Sequence, residues 1–336
     1  VYELLGICLA LSALLMLNAF ASVLAAGVWR VVALRVSRWP ASVRSRLLFT
    51  LRVSPSALAA TLVFALVVPA YVLNEPTNTG EIVGTKLLLL AAASAAGVLL
   101  ACWRIARTWR ATRRVVRDWM QHAVPVEVKG LRLPAYSIRH RFPVIAVIGV
   151  VRPRLFIAEQ IFDALTTQEL AAALAHERGH VVARDNLKRA LLQAGQDALL
   201  LAPLGRSLRR EWQHESELAA DEFAASAGPI VALNLASAIV KISRLIHGGA
   251  CPTLPAGAYL LGDEESGLSR RVRNLLHLAS AAGSTRSGAS LRAGSAIRIE
   301  LWLGLCVCTA GAFILTHPFV LKVTHEAIER VVQTLR

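Results

Sequence analysis

Apolar residues gather into four long runs, at 4–28, 57–73, 87–103 and 301–321, and thin out between them. Each run reads as a helix able, or nearly able, to cross a hydrocarbon core of about 30 Å. The first holds no charged side chain. It has no basic segment before it and a strongly basic one after it, so it reads as a retained anchor rather than a cleaved signal. The fourth is interrupted near its far end by His317 and Pro318.

Between the third and fourth runs the pattern changes. Residues 104–121 form a basic stretch, expected as a helix leaving the membrane and lying on anionic lipid. Apolar, β-branched segments at 124–133, 143–151 and 154–158 predict a small sheet. Thr166, with Glu169 three residues on, has the form of a capping box, and the helix it opens runs through an apolar stretch to His180 and beyond. Further helices are expected at 187–204, 209–225, 230–246 and 266–281. Residues 282–295, rich in Ser, Gly and Ala, read as a linker and a candidate site of self-cleavage.

The expected fold class is a mainly α polytopic membrane protein: about four transmembrane helices with an inserted α+β domain. The division is residues 1–103 for three spans, 104–298 for the cytoplasmic domain, 299–321 for the fourth span and 322–336 for a short extracytoplasmic tail.

Charge sets the orientation. Arg30, Arg35, Arg38, Arg44, Arg46 and Arg52 lie between the first two spans. Glu75 and Glu81 lie between the next two, and Arg104, Arg107, Arg110, Arg113, Arg114 and Arg117 follow the third. The positive-inside rule then places the N-terminus outside and the middle region inside. The net charge of +15 is thereby read as topological, and no nucleic-acid partner is expected. With 55% hydrophobic residues the chain is more apolar than ordinary soluble proteins, and the lipid bilayer is its expected partner. None of the five cysteines forms a CxxC pair, so neither a thiolate zinc site nor a disulfide framework is indicated.

The chemistry concentrates at His176-Glu177-Arg178-Gly179-His180. Histidines at i and i+4 on one helix face can meet one metal ion, with Glu177 beside them as general base for an attacking water. A catalytic Zn2+ needs a third protein ligand and an open position. Glu217 is the candidate ligand, with Asp221 one turn on to orient His176. His214 is a rival that faces away from Glu217, and Glu211, Glu215 and Glu222 read as a solvated face. No oxyanion donor stands out; Tyr259, Arg244 and His247 qualify by type only. The strand near 145–151 is either an edge that aligns a substrate peptide or a buried core strand.

These motifs, HERGH and then ESELAAD, look like the gluzincin pattern HExxH…ExxxD. The stretch 152–187 resembles the M56 family of integral-membrane zinc metallopeptidases (BlaR1/MecR1 type), and HtpX/Ste24-like M48 proteases share the same motifs. The resemblance implies His176, His180 and Glu217 as ligands of one zinc, Glu177 as base and Asp221 as support. It implies a structural role for Arg184-Asp185-Asn186, docking onto the neighbouring helix. It also implies three spans, a cytoplasmic zinc domain and a fourth span in a bacterial inner membrane, with a transcriptional repressor or another regulator as protein substrate. Receptors of this type carry a penicillin-binding sensor after the fourth span, where this chain has only residues 322–336. The expectation is therefore a relative lacking that domain, activated through a separate sensor partner. The competing readings are a zinc-binding transducer or scaffold with little activity, and a basic protein that binds anionic lipid or nucleic acid.

Overall fold

A computed structural model describes residues 2–37, 39–76, 83–128, 133–195, 202–246, 265–281 and 317–335. Three helical stretches, Tyr2–Val36, Ala41–Asn74 and Thr85–Met120, are long and apolar enough to cross a membrane. The first is α1. The second is α2 (Ala41–Leu62), a π-helical turn (Val63–Val67) and α3 (Val68–Asn74). The π-turn sits immediately before Pro69, whose ring would clash with the carbonyl four residues back and whose missing N–H breaks the regular ladder. The third is α4 (Thr85–Met120). At 1.5 Å per residue it is about 54 Å long, well beyond a hydrocarbon core.

The basic stretch, expected as a helix leaving the membrane, is the far end of α4. It continues the span and packs Val115, Val116, Trp119 and Met120 against one face of the sheet. Trp119 meets Phe156 edge to face at 5.3 Å.

The sheet has four strands, β1 (Val124–Val126), β2 (Ala135–Ile138), β3 (Ile145–Ile148) and β4 (Arg154–Ala158), in the order β1-β2-β4-β3. Its pairings are antiparallel except β2 with β4, which is parallel. Both faces are covered. Ile145, Val147, Leu155 and Ile157 point into the main core, and Ala146, Ile148 and Phe156 point toward α4. That explains why all four β3 residues are buried although β3 is an edge strand.

The main core is completed by α5 (Glu159–Ala164), α6 (Thr167–Ala183), α9 (Pro229–Leu245) and α10 (Glu265–Ala281). Thr166 caps α6 in a full capping box with Glu169, as the sequence indicates. Glu169 also accepts bonds from Ser237 and Lys241 of α9. Burial works against its charge, but these donors and the Thr166 bonds hold its carboxyl down at about 2.

Helices α7 (Asp185–Gly195) and α8 (Ala202–Ala225) join this unit to the spans. Trp212 and Leu208 of α8 and Leu192 of α7 bury against Leu48 of α2, with Trp29 and Phe49 alongside. Glu211 is exposed, but Glu215 and Glu222, also expected on a solvated face, are half-buried. Glu211 accepts a bond from the Trp29 indole (2.6 Å), Glu215 pairs with Arg44 (2.9 Å), and Glu222 accepts the Ala41 backbone N–H (3.0 Å). The linker at 282–295 and most of the fourth apolar run, through residue 316, lie outside the described residues. The segment beyond is more than a bare tail. The C-terminal helix Pro318–Leu335 buries Val332 among Leu5, Leu9 and Tyr71, and His325 lies 3.8 Å from Glu75.

Candidate metal centre

Helix α6 supplies His176, Glu177 and His180, and α8 supplies Glu217 and Asp221. The two helices can approach because Gly179 has no side chain: a Cβ there would lie 3.1 Å from the Ala220 Cα. The contact falls between the two pairs of polar residues and brings them together.

His176 Nε2 and His180 Nε2 are 3.2 Å apart, and each is 3.5 Å from a different Glu217 oxygen. A zinc tetrahedron with bonds of about 2.0–2.1 Å has ligand atoms about 3.3–3.4 Å apart. The triad therefore has the right donors at the right separation to hold one ion. Glu217 Oε2 is buried, with His176 Nε2 at 3.5 Å and Arg271 Nη1 at 3.3 Å as its charged neighbours. A second group, Glu75, His325 and Glu329, gathers near the C-terminal helix, but its members are more exposed.

The outer nitrogens of the rings are held from behind. Asp221 Oδ1 is 2.8 Å from His176 Nδ1, and Asp185 Oδ2 is 2.8 Å from His180 Nδ1. Arg271 of α10 donates from Nε and Nη2 to the two oxygens of Asp221, both at 2.8 Å, and its Nη1 is 3.3 Å from Glu217. Arg189 of α7 donates from Nη2 to Glu217 Oε1 at 3.1 Å. The charges are thus interlocked. Burial opposes the charge on Glu217, but His180, His176 and Arg271 hold its carboxyl well below the usual range. Asp221 is likewise held down against burial, chiefly by Arg271. Burial opposes the His180 cation too, yet Glu217 and Asp185 push it up to about 10 in the metal-free site. Burial raises the Glu177 carboxyl, which suits it to carry a proton.

The site opens into a cleft of about 300 Å³ that Glu177, His180 and Arg189 share with Val147 and Gly149 at the end of β3. Gly149, at φ +110°, turns the chain there; a Cβ would meet the Arg152 carbonyl at 2.8 Å. Asn186 donates to the Val147 and Gly149 carbonyls (2.8 and 3.1 Å), tying α7 to the sheet. The Arg184-Asp185-Asn186 segment therefore docks on two sides, Asp185 onto His180 of the neighbouring helix α6 and Asn186 onto the end of β3. Arg184 makes the turn in a left-handed conformation, at φ 55°.

Residues 146–244 match the model of Peptidase family M48.

The match indicates a zinc metallopeptidase family. It starts in β3 and ends in α9, so it takes in both helices of the triad and leaves out α10 with Arg271. M48 is one of the two families that the motifs resemble, and it is distinct from M56. No curated protein matches the chain. Together the M48 match and the three apolar helices support a membrane-bound metalloprotease.

Of the other candidates, His214 Nε2 accepts a bond from Arg270 Nη1 (3.0 Å) and stands apart from the triad. Arg244 is exposed on α9, away from the cleft, and Tyr259 and His247 lie outside the described residues. Asp185, Arg189 and Arg271 were not singled out by spacing. Asp185 enters the sequence reading only through the resemblance, as part of the Arg184-Asp185-Asn186 segment with a structural role.

Proposed function

We propose that the chain is a membrane-bound zinc endopeptidase that cuts protein segments presented at the inner face of its membrane. The observation that carries the reading is the convergence of His176, His180 and Glu217 beside Glu177, in a cleft bordered by an edge strand. His176, His180 and Glu217 would hold the metal. When bound, zinc polarises a carbonyl and lowers the pKa of water to about 7.

Glu177 accepts the proton of the attacking water and passes it to the leaving amine. Asp221 and Asp185 fix which nitrogen of each ring faces the triad. The bond from Ala158 N–H to the Val144 carbonyl and the β3–β4 register turn Val144, Ala146 and Ile148 inward, toward β4. Ile145 and Val147 therefore turn their backbone groups outward, where an extended substrate can add as a further strand. Asn186 takes the carbonyls at the Gly149 end, which limits that pairing to the Ile145 side.

The layout of spans around the zinc unit resembles M56, while the matched family is M48; both readings give the same metal chemistry. A regulator such as a transcriptional repressor suits the M56 layout, and a separate sensor would then deliver the signal. The test is cleavage of fluorescently quenched casein by the detergent-purified full chain. Wild type is expected to cleave, and Glu177→Gln to keep its zinc while losing at least about 100-fold in rate. Equal rates for the two proteins would refute the assignment of Glu177.

A further inference from the structure

The reaction proposed above needs a donor for the oxygen that gains negative charge, and the cleft offers few. Asn186 spends its amide N–H groups on the Val147 and Gly149 carbonyls. The outer nitrogen of His180 is engaged by Asp185. Arg184 is exposed where α6 ends, one residue before the buried Asp185.

Arg189 is different. Its side chain is largely buried, and its Nε–H lies away from solvent with no hydrogen-bond partner. Its Nη2 donates to Glu217 Oε1, the carboxylate that closes the triad, and its side chain borders the cleft together with Glu177 and His180. The helix that carries it is pinned at its first turn from both sides. Asp185 is held by His180 and Lys188, and Asn186 is held by β3. Arg189 follows Asp185 by one turn and so projects from the same face. A guanidinium has five donors in a rigid fork, so one can stay on Glu217 while others serve a second acceptor.

Resting on the peptidase reading, we propose that Arg189 is a catalytic residue that donates a hydrogen bond to the oxyanion of the tetrahedral intermediate. Water adds to the scissile carbonyl carbon as its proton passes to Glu177. The π pair of the carbonyl moves onto its oxygen, which takes the Arg189 N–H. Collapse restores the carbonyl and breaks the C–N bond, and the amine leaves with the proton from Glu177. A fixed donor in a water-poor cleft acts most strongly at the moment the charge develops.

The experiment compares wild type, Arg189→Met and Arg189→Lys as full-length protein in detergent. It measures zinc content, casein kinetics, and affinity for two probes: N-phosphoryl-Leu-Trp, a tetrahedral anion, and acetyl-Leu-Trp-amide, with planar carbonyls. Arg189→Met is expected to keep about one zinc. Its kcat should fall roughly 100-fold with little change in KM, and it should lose tenfold or more of its phosphoryl-probe affinity while the planar probe changes less than about threefold. Arg189→Lys should recover part of both losses. Loss of zinc from Arg189→Met would make the residue a support for Glu217 and overturn the proposal. Equal weakening of both probes would make it a ground-state binding residue and overturn it too. A variant equal to an active wild type overturns the Arg189 role alone, whereas a zinc-loaded wild type that neither cleaves casein nor binds the phosphoryl probe overturns the peptidase reading with it.

Discussion

Arg271 grips Asp221 with two hydrogen bonds of 2.8 Å, and the same carboxylate stands 2.8 Å behind the Nδ1 of His176. All three side chains are buried. Removing the guanidinium strands a buried carboxylate, which typically costs about 3–5 kcal/mol. Arg271→Met should therefore lower the melting temperature and weaken zinc binding by about 10–100-fold, the usual cost of losing support behind a ligand. Unchanged zinc affinity in a folded variant would remove Arg271 from the account of the centre.

Gly179→Ala sets two effects against each other. Alanine is worth about 0.8–1.0 kcal/mol more than glycine within a helix. Here its Cβ would press on the Ala220 backbone at 3.1 Å, and overpacking typically costs about 1–3 kcal/mol. The second effect should win, moving α6 from α8 and lowering zinc affinity, with Gly179→Val worse. Isothermal zinc titration of the series decides it; an alanine variant that binds zinc as tightly and melts higher would contradict the close-approach argument.

The pH dependence has opposite signs with and without metal. In the metal-free site His176 is raised and His180 is pushed to about 10, so their interactions stabilise the fold fully below the ordinary value of 6.5 and are lost as pH rises toward 10. Zinc must displace those protons, so its affinity should rise with pH, by up to roughly 100-fold per unit if two protons leave. Thermal melts with and without zinc between pH 6 and 9 should converge at the acid end. A zinc affinity independent of pH would rule out proton displacement at the two rings.

The triad was legible because spacing carries it: residues at i and i+4 share a helix face, and both pairs, His176/His180 and Glu217/Asp221, obey that rule. The α6 cap was legible for the same local reason. What supports the site was not. Asp185 reaches His180 only because Arg184 takes a left-handed turn that residue type does not announce. Arg271 meets Asp221 from 50 positions away, with no periodicity to mark it. Strand β2 has four residues and pairs in parallel with β4, so its signal is long-range. Glu215 and Glu222 looked solvated because their partners, Arg44 and the Ala41 N–H, belong to the spanning stretch.

Those contacts make α8 a shared element: one side carries Glu217, and the other is seated on α1 and α2. Trp212, fully buried beside Leu48 and Leu192, is the largest piece of that seat. Trp212→Ala should cost about 3–5 kcal/mol and loosen zinc binding through α8. Thermal unfolding followed together with zinc release should show both; loss of stability with zinc affinity intact would mean that the seat and the metal centre are independent.

The most direct test of the central claim is zinc stoichiometry in the detergent-purified full chain. Wild type and Glu177→Gln should each hold about one zinc, and Glu217→Ala should lose most of it while remaining folded. A folded wild type without zinc, or a Glu217→Ala protein that keeps its zinc, would contradict the three-residue centre.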